Sequence, residues 1–267
     1  MGVLNVTPDS FSDGGKLPAV EDAVGHAMRM EAEGASIIDV GGESTRPGSK
    51  PVGLDEELHR VIPVIRGIRS RSEVVISIDT MKAGVAEAAI EAGADIVNDV
   101  SAFRADEVMV SVAARWKAGV VLMHMQGNPA TMQQAPAYGD VVVEVEGFLR
   151  ERLAAVECAG VDPEAVALDP GIGFGKLPAH NLALLRATPV LCRIGRPILL
   201  GVSRKSFLGW IASAPEIEDR FWPGVALTSL GREMGARIFR IHDPGAHHQA
   251  LRMTEAILGE PSTRQAA

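Results

Sequence analysis

Eight short apolar runs, each followed by a longer stretch of helical periodicity, constrain this chain more than anything else in it. The runs read as strands at Gly2–Val6, Ser36–Val40, Val74–Asp79, Asp95–Asn98, Val120–His124, Ala165–Asp169, Pro197–Val202 and Arg237–His242. Most are apolar at successive positions, not alternate ones, as in strands covered on both faces of a parallel sheet. The segments between them space apolar residues three and four apart, as in Val20, Ala23, Val24, Ala27, Met28 and Ala32, which predicts helices with one buried face. Gly34, Gly93, Gly160 and Gly235 stand where four of those helices should stop. Strand then helix, eight times, predicts an α/β chain folded as a (β/α)8 TIM barrel, with an open doubly wound sheet as the competing topology. The 267 residues suit one such barrel, and no linker breaks the composition. A single domain over 1–267 is therefore expected, with a frayed tail from about residue 260.

Composition removes several function classes. The chain carries 34 acidic against 26 basic residues, a formal charge of −8, so a broad basic surface for nucleic acid is not expected. No apolar stretch reaches the ~18 residues of a membrane span. The N-terminus lacks the charged and apolar segments of a secretory signal, and a cytoplasmic location is expected. Cys158 and Cys192 are the only cysteines, too few for a disulfide framework, and both read as buried, inert thiols in helices.

Polar residues gather where the strands end: Asn5, Asp39, Asp79, Asn98, His124, Asp169, Ser203 with Lys205, and His242. In a barrel all of these ends meet around one mouth, where substrates bind. Asp79, Asn98 and Asp169 would present carboxylates and an amide able to pair with the N–H groups and ring nitrogens of a flat heterocycle. Arg46, Arg204, Lys205, Arg240 and His242 bring cations to the same rim, and the ends of strands seven and eight often hold phosphate. Arg204 reads equally as an outward surface ion pair, and His242 as a structural histidine. Gly171-Ile172-Gly173-Phe174-Gly175 lacks the G-x-G-x-x-G spacing of a dinucleotide turn; it reads as a close-approach loop carrying Phe174 over the mouth. His242, His247 and His248 have no zinc-like spacing. A hard cation held by Asn5, an Asp and substrate phosphate oxygens is the better metal reading. Thr7–Gly15 and Gly41–Pro51 are rich in Gly, Pro and Ser and are candidate lids.

The motifs that carry this chemistry resemble a known family. MGVLNVTPDSFSDGG at 1–15 and IDVGGESTRPG at 38–48 are similar to the two signature segments of the dihydropteroate synthases, pterin-binding barrels. The others follow in order: SIDT at 77–80, VND at 97–99, LMHMQG at 122–127, LDPGIGFGK at 168–176, SRKS at 203–206 and RIHD at 240–243. The resemblance implies a transferase of folate biosynthesis. It would join 4-aminobenzoate to the 6-methylene of (7,8-dihydropterin-6-yl)methyl diphosphate, giving dihydropteroate and diphosphate. It assigns the pterin to Asp79, Asn98, Asp169 and Lys205, with Met123 and Phe174 lining its slot. Diphosphate falls to Arg240, Asn5 and His242, Mg²⁺ to Asn5 and Asp13, and 4-aminobenzoate to Phe11, Thr45, Arg46, Pro47 and Ser206. Asp79, Asp169, Lys205 and Arg240 would carry the catalytic work: diphosphate leaves first, and the pterin-methyl cation is trapped by the amine. Sulfonamide sensitivity and a homodimer through the late helices are further implications.

Two features depart from the family pattern. Few residues precede the first motif, which implies a short first strand and a less well plugged barrel floor. Phe221-Trp222-Pro223-Gly224-Val225 replaces smaller residues, and exposed Phe221 and Trp222 would suit a subunit contact. Two alternatives share the pterin contacts. One is a methyl-transferring module that acts on methyltetrahydrofolate, which has no need of the SRKS segment. The other is a catalytically silent pterin binder, against which the intact polar set argues.

Overall fold

The computed structural model describes residues 1–6, 16–45 and 49–259, with the backbone alone for 16–18. Among the described residues eight strands alternate with helices. They are β1 (Gly2–Asn5), β2 (Ile37–Gly41), β3 (Val75–Asp79), β4 (Ile96–Asp99), β5 (Gly119–Met123), β6 (Val166–Asp169), β7 (Leu199–Leu200) and β8 (Ile238–Phe239). The helices are α1 (Lys16–Ala32), α2 (Leu54–Arg69), α3 (Ala83–Glu91), α4 (Met109–Trp116) and α5 (Val141–Cys158). They continue as α6 (Pro178–Arg186), α7 (Thr188–Cys192), α8 (Ser206–Ala212), α9 (Phe221–Glu233) and α10 (Pro244–Leu258). Strands β1 to β6 form one parallel sheet in chain order, and β7 pairs with β8. Single parallel bridges, Leu168 to Ile198 and Gly2 to Ile241, join the two sheets at both edges. The result is the expected (β/α)8 barrel.

The apolar pattern sets the layers. Ala23, Val24 and Ala27 of α1 are fully buried, as their spacing predicts, and pack with Ile38, Val40, Ile76 and Ile78 on the sheet. Gly34, Gly93, Gly160 and Gly235 all take positive φ, between 94° and 114°, the left-handed stop that glycine adopts without a Cβ clash. β1 is short, as expected, yet the floor is filled. Met1 packs beneath Val121, Ala167 and Leu199, Val3 N donates to Ile241 O at 2.9 Å, and Ile241 N donates to Met1 O at 3.0 Å.

Three expectations need correction. Neither thiol is buried: Cys158 is exposed and Cys192 half-buried. Cys158 lies two residues past Val156 on α5, about 200° around the helix from that buried stripe. Strands seven and eight are two residues each, not six. Arg237 N and Ile238 N both donate to Ile198 O, at 3.0 and 3.2 Å, and that doubled contact interrupts the ladder as a bulge does. Of the pair at 221–222, Trp222 is 70% exposed, but Phe221 is half-buried against it, ring edge to face at 5.0 Å.

Candidate active site

Parallel register brings the strand ends together. Asn5 pairs with Gly41, Gly41 with Asp79, and Asp79 with Asn98, so these residues lie on one level across four strands spaced about 4.8 Å apart. Met123 of β5 pairs with Asp169 of β6. Gly41 keeps the level open between Asn5 and Asp79: a Cβ there would stand 3.5 Å from the Asp79 Cβ. Asp79, Asn98, Met123 and Asp169 are all buried, and Asn5 is half-buried. Val100, Met123, Met125 and Met132 form a small apolar cluster with Met81 and Phe174 packed against it, separate from the main core. The expected slot lining, Met123 and Phe174, thus falls on one surface.

Arg240 reaches from the end of β8 past β1 to the ends of β2 and β3. Its Nε donates to Asp39 Oδ2 and its Nη2 to Asp79 Oδ2, each at 2.6 Å. Asn98 Nδ2 donates to the same Asp39 carboxylate at 3.2 Å. Asp39 is fully buried and is the acceptor that orients both side chains, a role the sequence reading did not assign it. Burial opposes the charge of Arg240, but Asp39 and Asp79 outweigh it and hold the guanidinium firmly protonated. Asp79 is pushed up to about 7 by burial, against the pull of Arg240 and with the repulsion of Asp39. Burial also raises Asp169, opposed by the Gly171 N–H, which donates to it at 2.6 Å, and by the charges of Lys205 and Lys176.

Lys205 precedes α8 and sits half-buried, its Nζ 4.4 Å from the centre of the Phe174 ring, a cation–π contact. Burial lowers it to about 8, with Asp169 opposing. The neighbouring Arg204 has φ of 58°, an uncommon conformation for a residue with a Cβ. That turn sends Arg204 outward, where it pairs with Asp243 at 2.9 Å, while Ser203 stays buried. The outward reading of Arg204 is the right one. His242 Nδ1 lies 3.0 Å from Ser203 Oγ, beside a cleft of about 390 Å³ that His26, Arg29 and Glu33 also line. Thr45 is half-buried and Ser206 is exposed at the first turn of α8. Phe11, Asp13, Arg46 and Pro47, with both lid tips, lie outside the described residues.

Two polar clusters escaped the sequence reading. Lys82 contacts both Glu43 and the fully buried Glu57, tying the start of the β2–α2 connection to α2 and α3. Lys176 is buried beside His124; a lysine directly after three alternating glycines was the available signal. Among the described residues no group of three or more His, Cys, Asp or Glu is placed to hold a metal. Asn5 alone of the expected Mg²⁺ ligands is described, and its side-chain oxygen is a donor of the kind that hard cations take.

A family model described as pterin binding enzyme matches residues 1–242. A dihydropteroate synthase from Synechocystis is 46% identical over 96% of this chain and 89% of the relative. The chain belongs to the dihydropteroate synthase family. Solved members superpose closely. The Xanthomonas albilineans dihydropteroate synthase with 4-aminobenzoic acid has a TM-score of 0.91 at 45% identity, covering 98% of this chain and 93% of that one. The same enzyme in complex with 7,8-dihydropteroate gives 0.88 at 43%, covering 98% and 94%. No described helix is long and apolar enough to cross a membrane.

Proposed function

We propose that this member of the dihydropteroate synthase family is an active enzyme. It condenses (7,8-dihydropterin-6-yl)methyl diphosphate with 4-aminobenzoate, releasing 7,8-dihydropteroate and diphosphate. The observation that carries this reading is the set of buried polar strand ends Asp79, Asn98 and Asp169, walled by Met123 and Phe174 and flanked by Lys205 and Arg240. A flat, hydrogen-bonding heterocycle fits such a set, whose buried oxygens and amide offer acceptors and donors to its ring edge. Asp79, Asn98, Asp169 and Lys205 take the pterin; Asn5, Arg240 and His242 take the diphosphate. Thr45 and Ser206, with Phe11, Arg46 and Pro47, take the aminobenzoate.

The chemistry is dissociative. The methylene–oxygen bond breaks with both electrons leaving on diphosphate, and positive charge spreads over the pterin. Asp79 and Asp169 favour that cation because they are fixed beside it out of water. Arg240 and His242 steady the departing anion. The aromatic amine then closes the C–N bond and sheds one proton. Asn5, with Asp13, would hold Mg²⁺ together with diphosphate oxygens, and the ion would there offset the leaving group's charge. No side chain need become covalently attached.

A coupled assay tests the reading: diphosphate release should require both substrates. Release from the pterin substrate alone, or none with both, counts against it. A sulfonamide keeps the aromatic amine and places a sulfonyl group where aminobenzoate has its carboxylate. It should inhibit competitively against aminobenzoate, and a rate unchanged by saturating drug at low aminobenzoate would remove the pocket assigned above.

The proposed setting is cytoplasmic, and the proposed assembly a homodimer. Trp210, Trp222, Leu230, Met253 and Ile257 stand exposed on α8, α9 and α10, more large apolar surface than isolated solvent-facing positions explain. Sedimentation equilibrium should give twice the 28.2 kDa chain mass, and Trp222→Glu should return it to one. A monomeric wild type defeats this assignment.

A further inference from the structure

The reaction described above gives no role to a lysine buried beside the pterin wall. Lys176 closes the Gly-rich turn after β6 and is 3% exposed, a depth lysine seldom reaches unless paired. Its Nζ lies 3.0 Å from His124 Nδ1, 3.3 Å from the His124 carbonyl and 2.9 Å from the Phe174 carbonyl. Burial lowers Lys176 to about 7, with the charge of Asp169 opposing; in the protonated form its three N–H groups meet these three acceptors. With Lys176 protonated, Nδ1 of His124 is the bare, accepting nitrogen. Burial, then the charges of Lys176 and Arg104, hold that imidazole down at about 3, neutral across the working range.

Two chain segments meet at this nitrogen: the connection from β5 to α5, which His124 opens, and the connection from β6 to α6, which carries Phe174. Gln133 Nε2 donates to Gly173 O at 2.6 Å and Tyr138 Oη to Gly175 O at 2.8 Å, joining the same two segments. The backbones approach so closely that a Cβ at Gly171 would stand 1.9 Å from the His124 carbonyl oxygen. Phe174 sits among these ties, packed on the methionine cluster with its ring over Lys205.

We propose that Lys176 is a positioning residue for the pterin subsite: its buried amino group clasps the β5–α5 connection to the β6–α6 connection and thereby fixes the Phe174 wall over Lys205. It touches no reacting atom. The inference rests on the pterin reading above.

Lys176→Met is one atom shorter, stays unbranched and removes all three donors. Calorimetry with 6-hydroxymethylpterin should show binding weakened on the order of tenfold, as a wall displaced by a fraction of an ångström predicts. KM for the pterin diphosphate should rise in step, while KM for aminobenzoate stays within about twofold, because the clasp lies on the pterin side alone. A purely structural lysine would instead lower Tm and move both constants together, which overturns the proposal. Should Lys176→Met fail to fold, Gln133→Ala and Tyr138→Phe decide. Each removes one tie from an exposed or half-buried side chain and should weaken pterin binding about two- to fivefold. Unchanged pterin binding in both overturns it. A wild-type chain that binds no pterin overturns the functional reading and this inference with it; a wild type that binds pterin, beside variants that bind it equally well, overturns the inference alone.

Discussion

Lys205→Ala and Asp169→Ala should each lower kcat/KM at least roughly a hundredfold, about 2.7 kcal/mol of transition-state binding. Lys205 lies under the Phe174 ring, and its charge acts on buried Asp169. Removing either takes one charge from the pterin site and weakens the electrostatic support of the other, and losing a buried polar contact to the ligand costs about 2–5 kcal/mol. The barrel should stay folded, because neither side chain belongs to the apolar layers that join sheet to helices. Circular dichroism and steady-state kinetics on the same preparations separate the two effects. Near-normal kcat/KM in either variant removes that residue from the site.

Arg240→Met should be the most destabilising single change at the mouth, by about 3–5 kcal/mol near pH 8, because it strips the partner from two buried carboxylates. The loss should depend on pH. Asp79 holds its proton up to about 7 in the folded protein, against about 4 in an unfolded chain. Between those values the folded state binds the extra proton, so this group makes stability fall as pH rises through the window. Without the guanidinium Asp79 climbs further, and the fall continues above 7. Wild type and variant should therefore differ less at pH 5 than at pH 8 in urea unfolding. Adding Asp79→Asn to Arg240→Met should recover part of the loss at pH 8. An equal loss at both pH values, with no recovery, would place the destabilisation elsewhere.

The barrel was legible because its signal is local. Runs such as Val75–Asp79 lie within a residue or two of their expected ends, since β-branched runs and glycine stops act over a few positions. β7 and β8 read too long because the doubled contact at Ile198 O belongs to their pairing and to no property of either strand alone. The pterin level was likewise legible as polar residues after apolar strands. Arg240 with Asp39 was not: they lie 201 residues apart in sequence, and only the closed sheet brings them together. Lys176 stayed hidden for the opposite reason. Composition marks a lysine as solvent-exposed, and its depth follows from two connections folding over it. Cys158 was misread because helix membership alone does not say which face a side chain takes.

The close approach of the two connections also limits what the chain can become. At Gly171 any side chain would collide with the His124 carbonyl, and at Gly175 a Cβ would stand 2.7 Å from the Gln126 carbonyl oxygen. Both glycines also hold positive φ, 67° and 62°, so substitution there meets backbone strain and collision together. Single mutations therefore have little room to reshape this wall. The rim at Ser206 is open to solvent and carries no such restriction. A ligand held wholly against the Gly171–Phe174 wall leaves the protein few routes of escape, whereas one that reaches out to the rim depends on residues free to drift.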